Sequence, residues 1–311
     1  MTSSNTAAIQ ISGLTKNFGN LVAVNDLKLE ISQGELFALL GPNGAGKTTT
    51  INMLCCLLKP ASGIARVLGN DVAKKGYQVK KVIGVCPQET VLSERLNAWE
   101  NLEVMGKQHG MSSGQLKRAA TSLLERLELL ERARDRVRKF SGGMRRRLSL
   151  AIALLHDPDV LFLDEPTLGM DPQARRTMWD YINNLKGKTT ILLTTNYMDE
   201  ANELSDRVGI IDRGTLVALG TADQLKTSLV EGKTLTIETT SIQPDVVREL
   251  QGRYSQVTHQ GKTIRVSSAE LDLKEVVDYL YSLGVAVSSI SFEQPTLEDV
   301  FLHVTGRGLR D

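Results

Sequence analysis

Gly41-Pro42-Asn43-Gly44-Ala45-Gly46-Lys47-Thr48 follows the apolar run Leu36–Leu40 and opens a stretch that reads as a helix from Lys47 to Leu58. A G-x-x-x-x-G-K-T loop between a strand and a helix is a phosphate cradle. Its backbone N–H groups and the positive end of the helix hold phosphate oxygens, and Lys47 reaches the outer ones. The Thr48 hydroxyl is placed to serve Mg²⁺. The stretch predicts a nucleotide-binding α/β fold.

Outward from the loop, residues 9–31 alternate apolar and polar, the period of half-buried strands. Leu36–Leu40, Val160–Leu163 and Ile191–Leu193 are continuous apolar runs, as in parallel strands buried on both faces. Ligands of open parallel sheets lie beyond the carboxyl ends of the strands, so these three ends are expected to converge. Asp164 and Glu165 close the second run. Asp164 is suited to hold Mg²⁺, usually through water, because a small hard cation prefers oxygen. Glu165 is suited to polarise an attacking water. Acidic pairs also cap helices, but this pair ends an apolar strand in a chain that carries Lys47.

Ser141-Gly142-Gly143 begins a helix with Met144, Leu148, Ala151, Ile152 and Leu155 on one face. A serine N-cap followed by two glycines leaves N–H groups bare enough to meet an oxyanion. An ordinary helix start is the alternative. The motif's position just upstream of Asp164 favours the functional reading. Between the strands, residues 89–139 are helix-rich, with amphipathic stretches such as Leu116–Leu130, and read as a helical subdomain inserted in the sheet.

The chain has 311 residues, a formal charge of +1 and three cysteines, Cys55, Cys56 and Cys86. Balanced charge points to neither nucleic acid nor membrane. The odd, sparse cysteine count fits reduced thiols in the cytosol. Residues 1–6 lack the pattern of a signal peptide, and no apolar run approaches the ~18 residues of a spanning helix. The stretch Arg132–Arg147 holds eight Lys or Arg. It lacks interleaved aromatics and surrounds the Ser-Gly-Gly motif, so it reads as a solvated face and no nucleic-acid partner is expected.

A hairpin spans Val208–Val217, turned at Asp212-Arg213-Gly214. After about Leu225 the pattern changes to strand (Thr234–Glu238), helix (Pro244–Arg253), strand (Gln256–His259), strand (Thr263–Ser267), helix (Leu271–Leu283) and strand (Val285–Phe292). That β-α-β-β-α-β order suggests a small ferredoxin-like α+β domain. A last helix follows at Pro295–Val304, with Leu297, Val300, Phe301 and Val304 as an apolar stripe. The expected domains are residues 1–225, with the helical subdomain at about 89–155, and 226–311.

Together these motifs resemble an ATP-binding cassette (ABC) ATPase over residues 9–225 or so. The resemblance implies a P-loop NTPase fold with a parallel core sheet, an antiparallel β subdomain and an inserted helical subdomain. ATP and Mg²⁺ are the implied cofactors, and Thr49 joins the loop residues that hold the nucleotide. It also implies that Phe18 stacks on adenine and that Gln88 senses Mg²⁺ and the lytic water. Ser141, Gly142 and Gly143 become the signature that contacts the γ-phosphate on a second copy of the chain, and Asp171 communicates across that dimer. Phe18 taken alone could equally fill a core edge.

Two residues depart from the superfamily pattern. Met144 stands where glutamine is common. Asn196, in Thr194-Thr195-Asn196-Tyr197, stands where histidine usually bonds the γ-phosphate; it can donate an amide hydrogen bond but cannot carry a proton. The tail Phe292–Arg307 is similar to the ending of daunorubicin-resistance-type exporter ATPases, a branch in which an amide at this position is not unusual. That resemblance implies an ATP-hydrolysing subunit at the cytoplasmic face of the membrane, coupled to a separately encoded permease that carries drug-like or lipid-like cargo. Trp99 and Leu102 are candidate permease contacts or core residues. The alternatives are a cytosolic ABC ATPase acting on ribosomes or nucleic acid, and a slow nucleotide-binding switch.

Overall fold

The computed structural model describes residues 7–228, 233–240, 244–254, 256–268, 272–293 and 295–306. In chain order the first elements are β1 (Ala7–Phe18), β2 (Leu21–Ser32), β3 (Leu36–Leu40), α1 (Lys47–Leu54), β4 (Ser62–Val67), β5 (Asn70–Asp71), α2 (Gly76–Val82) and β6 (Ile83–Cys86). Three helices follow, α3 (Ala98–Gln108), α4 (Ser113–Arg126) and α5 (Gly142–Leu154). The chain then returns through β7 (Val160–Asp164), α6 (Pro172–Asn183), β8 (Thr190–Thr195), α7 (Met198–Leu204), β9 (Arg207–Asp212), β10 (Thr215–Gly220) and α8 (Ala222–Ser228).

The central sheet has the order β10-β9-β3-β8-β7-β6, parallel except for the β9–β10 hairpin. Leu36–Leu40 and Val160–Leu163 are fully buried, as continuous apolar runs require. An antiparallel sheet, β2-β1-β4-β5, carries the alternating segment: Ile9, Ile11, Leu27, Leu29 and Ile31 point into a core shared with Phe37, Leu39 and Phe162. Helices α3, α4 and α5, which lie between β6 and β7 along the chain, pack against one another, and α5 packs on β6. Capping boxes at Asn97/Glu100 and Ser112/Gln115 fix the starts of α3 and α4. This is an α/β P-loop NTPase architecture.

The first helix ends earlier than its sequence pattern suggests. Cys56 adopts a left-handed φ of 59°, and the Leu57 and Leu58 amides fold back onto the Asn52 carbonyl, so α1 stops at Leu54. Strand β8 is longer than its apolar run, because Thr194 and Thr195 continue it as buried residues. Leu102 has no exposed surface and belongs to the core, which removes it as a permease contact.

A second compact unit begins at Asp223. It contains β11 (Lys233–Thr239), α9 (Pro244–Arg253), β12 (Gln256–Gln260), β13 (Thr263–Ser268), α10 (Leu273–Ser282), β14 (Val287–Glu293) and α11 (Leu297–Thr305). Its sheet is antiparallel with the order β12-β13-β11-β14, the split β-α-β arrangement of a ferredoxin-like fold. Leu235, Ile237, Ile264 and Val266 pack under Val246 and Leu250 of α9 and Val276 and Leu280 of α10. The last helix starts at Leu297 and not at Pro295, with Thr296 as its N-cap and Asp299 completing a capping box. Leu297, Val300 and Phe301 are buried, whereas Val304 faces outward. Leu271, Gln294 and Arg307 lie outside the described residues.

Candidate active site

Register decides where the chemistry gathers. Leu40 at the end of β3 pairs with Thr195 of β8, and Asp164 at the end of β7 pairs with Thr194. The glycine-rich loop, the Asp164-Glu165 pair and the Thr194–Asn196 segment therefore leave the sheet at one edge. The Gly41 amide donates to the Thr195 carbonyl at 3.2 Å, tying the loop to β8. Gly46 has a φ of +105°, and a Cβ there would lie 2.4 Å from the Ala23 carbonyl oxygen. The cradle thus needs glycine at 46 because β2 crosses behind it. Asn43, Gly44 and Thr48 are exposed; Pro42 and Ala45 are buried and Thr49 half-buried.

Lys47 uses all three of its donors inside the chain. Its Nζ donates to the carbonyls of Gly41 (2.6 Å) and Pro42 (3.0 Å) and lies 3.2 Å from Glu165 Oε1. Burial pushes the ammonium's pKa down, and the Glu165 carboxylate opposes that shift. Glu165 has a left-handed φ of 48°, a costly conformation for a residue with a Cβ. It is held there by its amide, which donates to the carbonyl (3.0 Å) and hydroxyl (3.2 Å) of Thr194. Its second carboxylate oxygen, Oε2, is buried without a partner.

Asp164 Oδ1 accepts from the Thr48 hydroxyl at 3.2 Å and the Thr194 hydroxyl at 2.5 Å. One carboxylate and one loop hydroxyl within bonding reach are hard oxygen donors, the chemistry that fits Mg²⁺ shared with phosphates and water. Asn196 is half-buried, and its Oδ1 is buried without a partner. Gln88 is exposed just beyond β6. Phe18 is 47% exposed, so its ring does not fill the core, and the Lys16 ammonium sits 5.2 Å from its centroid.

Ser141 caps α5 by accepting from the Met144 amide at 3.2 Å, and Gly142 stands in open space. A Cβ on Gly143 would touch Met170 and Ala174, so the start of α5 lies beside the turn that carries Asp171. Asp171 is exposed and caps α6 through the Ala174 amide at 2.9 Å. The basic stretch around this motif is not simply a solvated face. Arg132 pairs with Asp135, Arg145 with Glu94, and Arg147 with Glu128, while Arg146 is buried against main-chain carbonyls.

Some residues of the site carry no motif. Thr194 is the hydroxyl shared by Asp164 and the Glu165 amide, and only its place at a strand end hints at that. Glu200, fully buried on α7, accepts from the Thr167 hydroxyl (2.7 Å) and the Trp179 indole N–H (3.0 Å). Burial raises its pKa, against the hydrogen bonds and the nearby Arg175. Its partners Thr167 and Trp179 come from two separate segments, which no local pattern reveals.

A parallel sheet whose strand ends gather a phosphate loop, a buried lysine and an Asp-Glu pair defines a nucleoside-triphosphate-hydrolysing enzyme. The comparisons narrow the class. A family model described as "ABC transporter" matches residues 24–168, and one described as "ATP-binding protein DrrA1-3-like, C-terminal domain" matches residues 220–305. The chain is 40% identical to the daunorubicin resistance ATP-binding protein DrrA3 of Streptomyces coeruleorubidus, covering 96% of each chain. It is 36% identical to the linearmycin resistance ATP-binding protein LnrL of Bacillus subtilis, covering 97% of this chain and all of that one. It is 39% identical to the Nod factor export ATP-binding protein I of Cupriavidus metallidurans, covering 98% of this chain and 100% of that one.

Among solved structures, an ATP-binding subunit of an ABC transporter superposes with a TM-score of 0.66 at 29% identity, covering 71% of this chain and 93% of that one. A dimeric ATP-binding cassette in a post-hydrolysis state with ADP and Pi gives 0.63 at 25% identity, covering 68% and 98%. The chain belongs to the ABC transporter ATPases, in the branch of the DrrA-like drug-resistance ATP-binding proteins.

Proposed function

We propose that the chain is the energising subunit of a membrane exporter, peripheral to the cytoplasmic face and working as two copies with a separate permease. The observation that carries this reading is a division of labour. The loop, Lys47, Asp164 and Glu165 gather at one sheet edge, while Ser141 and Gly142 offer the start of α5 to solvent. Each chain would present its signature to the nucleotide held on the other's loop, so that ATP bridges the pair. Relatives named for daunorubicin and linearmycin resistance and for Nod factor export support a drug-like or lipid-like amphiphilic cargo.

In this reading residues 41–49 cradle the triphosphate and Lys47 exchanges its carbonyl partners for phosphate oxygens. Thr48 and Asp164, joined by Gln88, would hold Mg²⁺, which neutralises phosphate charge when bound. Glu165 orients and polarises the attacking water, and Asn196 donates its amide N–H toward the γ-phosphate. Phe18 offers an exposed ring to the adenine, and Asp171 faces the partner copy. Closure of the pair around ATP and its release after hydrolysis turn a bond change into a domain motion.

The test is purification of the full chain from detergent-solubilised membranes. The expected result is a complex with an integral membrane protein whose ATP turnover in lipid is abolished by Glu165→Gln. Co-purification with ribosomes, with no membrane partner, would overturn the proposal.

A further inference from the structure

Arg145, Arg146 and Arg147 are consecutive on α5, so they point to different sides of the helix. Arg145 turns to Glu94 at 3.2 Å, and Arg147 to the Leu127 carbonyl (2.9 Å) and Glu128 (2.8 Å). Both serve the helical subdomain. Arg146 goes the other way, into the catalytic edge, and is only 5% exposed.

A guanidinium has five N–H donors and no acceptor. The Arg146 side chain makes five contacts to main-chain carbonyls. Nε donates to Pro166 (2.9 Å), Nη1 to Pro87 and to Gln88 (2.9 Å), and Nη2 to Asp164 and to Glu165 (2.7 Å). The acceptors belong to the two segments that carry Gln88 and the Asp164-Glu165 pair. Arg146 itself lies little more than one helical turn from Ser141.

We propose that Arg146 is the positioning residue that locks the signature start of α5 to the water-activating and Mg²⁺-facing segments of its own chain. The inference rests on the two-copy sandwich proposed above. A nucleotide on this chain's loop acts on Gln88 and Glu165, and the signature acts on the partner's nucleotide. Arg146 is the rigid link between them, so the state of one site sets the aim of the signature at the other. Lysine keeps the charge but has three donors from a single point, and cannot satisfy five carbonyls spread over two segments. Glutamine has two donors and no charge.

The test uses Arg146→Lys and Arg146→Gln in the full chain, each also combined with Glu165→Gln. Binding of a fluorescent ADP analogue to dilute monomer reads the loop alone, and light scattering with Mg·ATP reads closure. The expected outcome is ADP affinity within about twofold of the parent, with the ATP concentration for half-dimerisation raised about tenfold or more. Leu124→Ala, combined with Glu165→Gln, is the control, because it empties a core position of the helical subdomain. It should lose thermal stability and keep the dimerisation threshold of Glu165→Gln alone.

Folded Arg146 variants that dimerise at that same threshold would overturn the proposal, as would an equal shift in the Leu124→Ala control. Should both Arg146 variants fail to fold, hydrogen exchange on the unsubstituted dilute chain decides. Mg·ATP binding should then change protection of the amides at 142–145, and no change contradicts the link. Failure of Glu165→Gln alone to dimerise would instead remove the sandwich reading, and this inference with it.

Discussion

Lys47 Nζ lies 3.2 Å from Glu165 Oε1 with both side chains almost wholly buried, so the residue read as the water-activating carboxylate is bound by the cation read as the phosphate anchor. Each group is the other's only charge-bearing contact at that distance among the described residues. On the mechanism proposed above, nucleotide arrival would break this pair, giving Lys47 a phosphate and freeing Glu165 for water. Glu165→Gln removes the buried partner and leaves the lysine short of a counter-charge. The nucleotide-free variant is expected to unfold at a lower temperature than the parent and to gain more from added ATP. Turnover should fall about 10²–10⁴-fold, the weight of a positioned base. Differential scanning fluorimetry and phosphate release check both; parental turnover would remove Glu165 from the mechanism.

Asn196 Oδ1 is buried without a hydrogen-bond partner, at the position where the superfamily usually has histidine. A hydrogen bond to a charged phosphate is worth ~1.5–3 kcal/mol, so on the proposed mechanism a weaker donor here would slow hydrolysis about tenfold or more. Asn196→His should raise the steady-state rate of the permease complex or leave it unchanged. A tenfold fall would show that the amide is itself required.

Gly84 lies in β6, four residues before Gln88, and a Cβ there would sit 2.1 Å from the Ala153 carbonyl oxygen and 2.9 Å from Pro158 Cγ. Neither the strand nor α5 can yield without separating. Gly84→Ala should destabilise the chain by about 1–3 kcal/mol or more, the cost of overpacking. Urea titration that finds less than about 0.5 kcal/mol would show that α5 shifts freely on β6.

Glu200 supplies a pH dependence whose sign follows from burial. Its folded-state pKa is raised above the ordinary 4.5, chiefly by desolvation, so the native chain holds this proton more tightly than the unfolded one. The stability it contributes is complete below pH 4.5 and is lost as pH climbs through the raised value. Glu200→Gln keeps an oxygen for Thr167 and Trp179 and removes the titration. Melting curves should therefore show the parent losing stability relative to the variant as pH rises from 4.5 to 8. Parallel curves would contradict the assignment.

The parallel strands were legible because buried strands read as unbroken apolar runs, and the loop because phosphate binding constrains glycine and lysine at fixed spacing. The second unit's order was readable from its succession of strand-like and helix-like stretches. The early end of α1 was hidden, because a left-handed Cys56 has no compositional signal. Leu102 was ambiguous until burial placed it, since an apolar residue on a helix serves a core or an interface equally. Arg146 was lost in a run of arginines: its meaning lies in carbonyls 18 to 59 residues away, and local periodicity carries no such information.

The central claim is that neither copy of the chain owns a complete catalytic centre. The most direct measurement is the molar mass of the Glu165→Gln chain in solution, by light scattering, without nucleotide and with saturating Mg·ATP. The account predicts a monomer that becomes a dimer on adding Mg·ATP and dissociates again on exchange into ADP. A chain that stays monomeric with Mg·ATP, even beside its membrane partner, would contradict it.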